Sequence, residues 1–190
     1  MAQVILSTPR RFGDSRGWFV EAYNANREKK LGISEIFVQD NRSYSKHKFT
    51  IRGIHFQIPP YGQAKLVSCT RGRINDYVVD LRKGSPTYGN HLSVELTPAY
   101  GHQLYIPIGF GHGFITLDDE TEISYKVSDF YSADADSGIR WDCPDVGIDW
   151  PVDSNATPIL SDKDKALPLL RDFDSPFEYD GDPLQLRIIG

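Results

Sequence analysis

Cysteine is nearly absent. Cys69 and Cys143 are the only two in 190 residues, too few for a disulfide scaffold, and both read as reduced packing residues. No apolar run reaches the roughly 20 residues of a membrane span. No basic region precedes Val4-Ile5-Leu6 to make a cleavable signal, so a cytoplasmic protein with no membrane partner is expected. Positive charge is not in excess either. A formal charge of −5 offers no general attraction to nucleic acid or anionic lipid, although a local Arg/Lys cluster would suit a small anion. Repeats, linkers and low-complexity tracts are missing, so residues 1–190 are expected to form a single domain with its own core.

Helical periodicity is also scarce. Asn26–Leu31, ended by Gly32, and Ser161–Leu167, opening on Ser161 and halted before Pro168, are the two short candidates. What dominates is period-two alternation between Gly, Pro, Asn and Asp punctuation. Strands are expected at Gly17–Tyr23, Ile36–Gln39, Thr50–Gln57, Ala64–Thr70, Ile74–Leu81, His91–Leu96, Gln103–Ile106, Gly113–Leu117 and Thr121–Val127. Their even spacing indicates an all-β sandwich or barrel rather than βαβ units. From about Asp142 onward Pro and Asp thicken, which reads as a C-terminal wrap.

The stretch Ile51-Arg52-Gly53-Ile54-His55-Phe56-Gln57 concentrates polar residues in a strand pattern. Simple alternation places Ile51, Gly53, His55 and Gln57 on one face and Arg52, Ile54 and Phe56 on the other. His55 is either a hydrogen-bonded structural residue or a base, and a base needs a carboxylate partner that the local sequence lacks. Lys65, in phase with Val67 and Cys69, is either a solvated edge lysine or a cation placed to stabilise an oxyanion. Tyr125, in phase with Ile123 and Val127, is a core tyrosine or a general acid. Asp164 fits a capping box with Ser161. His112 reads most simply as a turn histidine, and Arg16 as a loop arginine. A metal site would want a second ligand two residues after His55, where Gln57 is a poor one, and His47, His91 and His102 show no ligand spacing. No metal is therefore expected.

Taken in order, several motifs resemble the dTDP-4-dehydrorhamnose 3,5-epimerase family of the cupin superfamily. They are Phe12-x-Asp14-x-Arg16-Gly17-x-Phe19-x-Glu21, Gln39-x-Asn41-x-Ser43, Arg52-Gly53-Ile54-His55-Phe56-Gln57 and Gln63-Ala64-Lys65-Leu66-Val67. Asp80-Leu81-Arg82-x-x-Ser85-Pro86-Thr87-Tyr88-Gly89, Ile106-Pro107-x-Gly109-Phe110-x-His112-Gly113-Phe114, Tyr125-Lys126, Asp149-Trp150-Pro151 and Leu160-Ser161-x-Lys163-Asp164 continue the series. Asp142-Cys143-Pro144 departs from the family's Asp-Pro pair, and the tail after Pro168 carries no match.

The resemblance implies a cupin-type jelly-roll barrel, a homodimer, no cofactor, and a nucleoside-diphosphate 4-keto-6-deoxyhexose, dTDP-linked, as substrate. It implies His55 as base, Asp164 as its partner, Lys65 at the enolate oxygen and Tyr125 as acid. It implies Arg52, Gln39 and Asn41 at the nucleotide and diphosphate, with Gln57, His112, Lys163 and the second site tyrosine Tyr131 completing the substrate contacts. Arg16, Phe19 and Glu21 would reach a neighbouring subunit's site. The expected reaction is inversion at C3 and C5 in deoxysugar biosynthesis. A monofunctional C3 or C5 epimerase and a non-catalytic sugar-nucleotide-binding cupin are the alternatives.

Overall fold

Thirteen strands, most of them alternating apolar runs broken by glycine and proline, form among the described residues of the computed structural model, which covers residues 3–190. They are β1 (Val4–Ser7), β2 (Arg11–Asp14), β3 (Gly17–Val20), β4 (Gln39–Ser45), β5 (Ile51–Gln57), β6 (Lys65–Arg71) and β7 (Ile74–Asp80). β8 (His91–Leu96), β9 (Gln103–Ile106), β10 (Phe110–Thr116), β11 (Thr121–Val127), β12 (Asp136–Gly138) and β13 (Leu186–Ile189) follow. Two helices join them, α1 (Ala25–Leu31) and α2 (Asp162–Lys165). A six-stranded sheet runs β13-β1-β9-β6-β11-β4, and a five-stranded sheet runs β12-β5-β10-β7-β8. The two make a cupin-type jelly roll, the fold that the family resemblance implies. No helix is long and apolar enough to cross a membrane among the described residues.

Three apolar layers hold the sheets. Val67, Cys69 and Ile123 of one sheet meet Ile74, Val78, Val94, Leu96 and Phe114 of the other. Each fully buried aliphatic side chain there contributes roughly 1.5–3 kcal/mol. The outer face of the five-stranded sheet presents Ile51, Ile54, Phe56, Val79 and Leu81, and the C-terminal segment covers it with Ile139, Val146, Trp150, Leu170 and Phe177. The outer face of the other sheet is closed by Ile33, Tyr23 and Phe37 around α1. Cys69 and Cys143 are free and buried.

The Asp80–Thr87 motif proves to be a structural knot. The buried Asp80 carboxylate accepts from Arg82 Nε and Nη2 (both 2.9 Å) and from the Ser85 and Thr87 hydroxyls (both 2.7 Å). Burial pushes this carboxyl up, but those donors outweigh it and hold it below the ordinary range. Arg82 also donates to Asp180 at 2.6 Å, which ties down the tail.

Both helices form where capping residues predict. Asn24 Oδ1 accepts from the amides of Asn26 and Arg27, and Gly32 closes α1 in the left-handed conformation at φ 95°. Ser161 Oγ accepts from the Asp164 amide, so Ser161 is the N-cap, but α2 is one turn long rather than reaching Leu167.

Several strands differ from the sequence reading. The expected strand at Ile36–Gln39 begins instead at Gln39, because the inward residues of β4 are Gln39, Asn41 and Ser43, which line a cavity and leave no apolar alternation. The strand expected at Gly17–Tyr23 stops at Val20, paired with β2 as a separate hairpin. β10 starts at Phe110 because Gly111 and Gly113 let it lie against Ile54. A Cβ at either would meet that side chain at 2.4 and 2.7 Å.

The largest difference is in β5. Its pairing with β10 shifts register between His112↔His55 and Phe114↔Arg52. Gly53 sits in the break with φ +135°, and a Cβ there would lie 2.4 Å from the Gly113 Cα. The alternation therefore changes phase. Arg52 lines the same cavity as His55, which corrects the opposite-face expectation. Gly53→Ala is expected to lose at least about 3 kcal/mol, from backbone strain and overlap together. Urea denaturation reads this directly, and an unchanged midpoint would show that β5 does not need the break.

Candidate active site

Between the sheets lies a cavity of about 300 Å³ where polar side chains join Phe56, Phe114 and Ile123 in the wall. From the five-stranded sheet come Arg52 and His55 of β5, His112 of β10 and Asp136 of β12. From the six-stranded sheet come Gln39 and Asn41 of β4, Lys65 of β6 and Tyr125 of β11. His55 and Tyr125 thus stand on opposite sheets.

His55 Nε2 lies 2.7 Å from Asp164 Oδ1, a residue 109 positions away that is 3% exposed. Tight packing sets α2 against β5. A Cβ on Gly138 would meet the Ile54 carbonyl oxygen at 2.5 Å and Leu167 Cδ1 at 2.7 Å, so glycine lets the chain after α2 close down. Burial pushes the Asp164 carboxyl up. The hydrogen bond from His55 and its charge, the Gly53 N–H and the Ser161 hydroxyl outweigh it and hold the group below the carboxylate range. As a carboxylate it can only accept, so Nε2 carries the proton and Nδ1 is the atom free to take one. Both readings of Asp164 hold, on different atoms: its amide completes the cap and its carboxylate orients His55.

Lys65 is 8% exposed, and its Nζ donates to the His55 carbonyl at 3.2 Å. Burial brings the ammonium down to about 8, opposed by the charges of Asp76 and Asp136. The solvated-edge reading of Lys65 is thereby excluded. Tyr125 packs against the core as its phase predicts, and burial raises its phenol, keeping the proton on oxygen.

The remaining wall residues form two clusters. Arg52 donates to Ser45 Oγ at 3.2 Å and to the Tyr44 carbonyl at 3.0 Å. Gln39 bridges Asn41 Oδ1 (2.8 Å) and the Tyr131 amide (3.1 Å). Asp136 accepts from the Tyr131 hydroxyl at 3.1 Å and pairs with Lys163. The hydrogen bond to Asp136 is what raises both the Lys163 ammonium and the Tyr131 phenol.

Two placements differ in kind. Gln57 lines the cavity, but its amide is committed to the Tyr61 and Phe130 carbonyls and the Ser132 amide. Arg16, Phe19 and Glu21 do not line the cavity. Arg16 and Phe19 lie on the β2–β3 hairpin and Glu21 just beyond it, and Arg16 pairs locally with Asp14. No cluster of three or more His, Cys, Asp or Glu side chains is placed to hold a metal ion among the described residues.

Sequence reasoning missed Asp136 and Asp76. β12 is three residues of Asp-Ser-Gly with no apolar alternation to mark it. Asp76 did leave a signal: it falls in phase with the inward Ile74 and Val78. It is fully buried, 2.9 Å from His112 Nε2. His112 is therefore no turn residue. It lies within β10, directly across from His55.

The dTDP-4-dehydrorhamnose 3,5-epimerase family profile matches residues 1–172. A dTDP-4-dehydrorhamnose 3,5-epimerase of Sinorhizobium fredii is 48% identical over 179 residues, covering 94% of this chain and 91% of the relative. The structure resembles that of the dTDP-4-dehydrorhamnose 3,5-epimerase of Bacillus anthracis str. Ames with TDP and PPi bound. That match has a TM-score of 0.82, 49% identity, and coverage of 85% and 91% of the two chains. It also resembles the dTDP-6-deoxy-D-glucose-3,5-epimerase of Legionella pneumophila in complex with dTDP-4-keto-L-rhamnose. There the TM-score is 0.85 and the identity 40%, with coverage of 91% and 92%.

The Asp164 contact predicts a pH-dependent contribution to stability. Because the folded state depresses this carboxyl, its contribution is present above the unfolded pKa and is lost as pH falls through the folded one. Asp164→Ala is expected to lose about 1–3 kcal/mol at pH 7 and far less near pH 2. Urea titrations of both proteins at the two pH values measure it, and an equal loss at both would contradict the assignment.

Proposed function

The chain belongs to the dTDP-4-dehydrorhamnose 3,5-epimerase family and is an isomerase of sugar nucleotides, and we propose that His55, Lys65, Tyr125 and Asp164 carry its chemistry. The substrate is dTDP-4-dehydro-6-deoxy-D-glucose and the product dTDP-4-dehydro-L-rhamnose. The hydrogens at C3 and C5 are both α to the C4 ketone. Removing either places the negative charge on the same oxygen, so one cation serves both steps.

In this reading His55 Nδ1 takes the proton from carbon, and Asp164 stabilises the imidazolium that results. The Lys65 ammonium faces the developing enolate oxygen. Tyr125, on the opposite sheet, returns a proton to the other face of the same carbon, which inverts it. Its phenolate is then reprotonated, and His55 gives up its proton before the second inversion. The substrate arrives already oxidised at C4, so no hydride carrier is invoked.

Arg52, Gln39 and Asn41 are assigned to the diphosphate and nucleotide, with Lys163, His112 and Tyr131 at the cavity rim and wall. Gln57 supports the site through the main chain. The β2–β3 hairpin belongs to no large sheet and exposes Phe12 (52%), Trp18 (60%) and Phe19 (67%). That supports a homodimer in which Arg16, Phe19 and Glu21 serve the neighbouring copy's cavity. We take residues 1–190 as one domain, cytoplasmic, with the segment from about 142 as its outer wrap.

The observation that carries the proposal is the His55–Asp164 pair facing Tyr125 across a cavity that also holds a buried lysine. His55→Ala is expected to lower kcat by about a thousandfold or more while circular dichroism stays unchanged. Near-wild-type turnover of dTDP-4-dehydro-6-deoxy-D-glucose would remove His55 from the chemistry. The Lys65 ammonium is the active form, so kcat/KM is expected to decline as pH rises through about 8. A flat profile to pH 10 would contradict that role.

A further inference from the structure

His55 and Asp164 are not the only histidine–carboxylate pair in the cavity wall. His112 and Asp76 form a second, at 2.9 Å, with His112 7% exposed and Asp76 fully buried. The neighbours of Asp76 in phase along β7 are Ile74 and Val78, so a packing residue at this position would be apolar. A buried carboxylate costs stability wherever it is not fully hydrogen-bonded, and Asp76 Oδ1 has no hydrogen-bond partner among the described residues.

We propose that Asp76 is a positioning residue of the epimerisation: it fixes His112 as the Nε2–H tautomer and supplies the buried counter-charge of the Lys65 ammonium. The proposal rests on the epimerase reading of this cavity. With Oδ2 accepting from His112 Nε2, the imidazole has Nδ1 left, and Nδ1 is then an acceptor. Burial lowers the affinity of this ring for a second proton, against the pull of Asp76, so the ring stays neutral. A neutral acceptor suits a sugar hydroxyl, which has a proton to donate, and does not suit a ketone oxygen. The C4 oxygen is thereby left to Lys65.

The charge balance points the same way. No carboxylate makes an ion pair with Lys65 among the described residues, and its bond is to the His55 carbonyl. The charged and titratable groups around it are His55 and Arg52 of β5, Asp76 of β7, His112 of β10, Tyr125 of β11 and Asp136 of β12. Asp136 is already engaged by Lys163, and Asp164 by His55. Asp76 has a buried oxygen, Oδ1, without a hydrogen-bond partner among the described residues, and it is the largest charge opposing the burial of Lys65.

Two measurements test this. Long-range proton–nitrogen spectra of histidine-labelled wild-type protein at pH 7 are expected to show His112 with Nε2 protonated and Nδ1 bare. The Nδ1–H tautomer or an imidazolium would overturn the proposal. In Asp76→Asn, the Lys65 13Cε titration, assigned by its loss in Lys65→Arg, is expected to move down by about one unit or more. At pH 8 that lowers the charged fraction from about half to about a tenth, and the alkaline limb of the kcat profile moves with it. A folded Asp76→Asn protein with an unshifted Lys65 midpoint would overturn the counter-charge role, whereas a merely structural role changes the melting temperature alone. If Asp76→Asn does not fold, the wild-type tautomer decides. Both spectroscopic readings need no turnover, so failure of the epimerase reading is distinguishable from failure of this one.

Discussion

A hydrogen bond between a mid-strand imidazole and a carboxylate from the far end of the chain determines what this cavity can do. Without Asp164, His55 is a strand histidine with either ring nitrogen free to hold the proton. With it, the tautomer is set and the basic nitrogen is Nδ1. Much of the surrounding structure serves that contact. The phase break at Gly53 brings Arg52 and His55 to one wall, the Ser161 cap aims Asp164, and Gly138 lets the segment after α2 close onto β5. Residues 139–177 pack an apolar wrap against the outer face of the five-stranded sheet, and the Asp80–Arg82–Asp180 knot holds its end.

The second constraint is electrostatic. Lys65, two histidines (His55 and His112) and three carboxylates (Asp76, Asp136 and Asp164), all buried or half-buried, surround a cavity of about 300 Å³. Each isolated charge in such a place is destabilising, and the arrangement is tolerated because the charges offset one another. The same balance leaves each group in a useful state for the proposed reaction: a carboxylate at Asp164 that orients His55, a lysine that remains cationic up to about pH 8 and a tyrosine that keeps its proton. Stability is given up where charge is needed.

How much of this was legible depended on what each strand faces. The alternation marks β8, β9 and β11 to the residue because one face of each meets the apolar core. β4 escapes the pattern because its inner face meets the cavity, so its inward residues are Gln39, Asn41 and Ser43. β2 and β13 lie at the hairpin and the sheet edge, where burial imposes little pattern. The order of motifs pointed to His55, Lys65, Tyr125 and Asp164, yet the geometry joining them was invisible, since Asp164 is 109 residues from His55. Period two places Arg52 on the wrong face because it assumes an unbroken strand, and Gly53 breaks it. Asp76 could have been seen: an aspartate in phase with Ile74 and Val78 is an anomaly in any core strand.

The central claim is that one base, one cation and one acid invert two carbons through enolates that share the C4 oxygen. Incubation with dTDP-4-dehydro-6-deoxy-D-glucose in deuterated water, followed by proton NMR, tests it most directly. The account predicts deuterium at both C3 and C5 of the product, with both exchanges abolished together in His55→Ala. Label at C3 alone would indicate a monofunctional epimerase, and inversion without solvent label would contradict the enolate chemistry altogether.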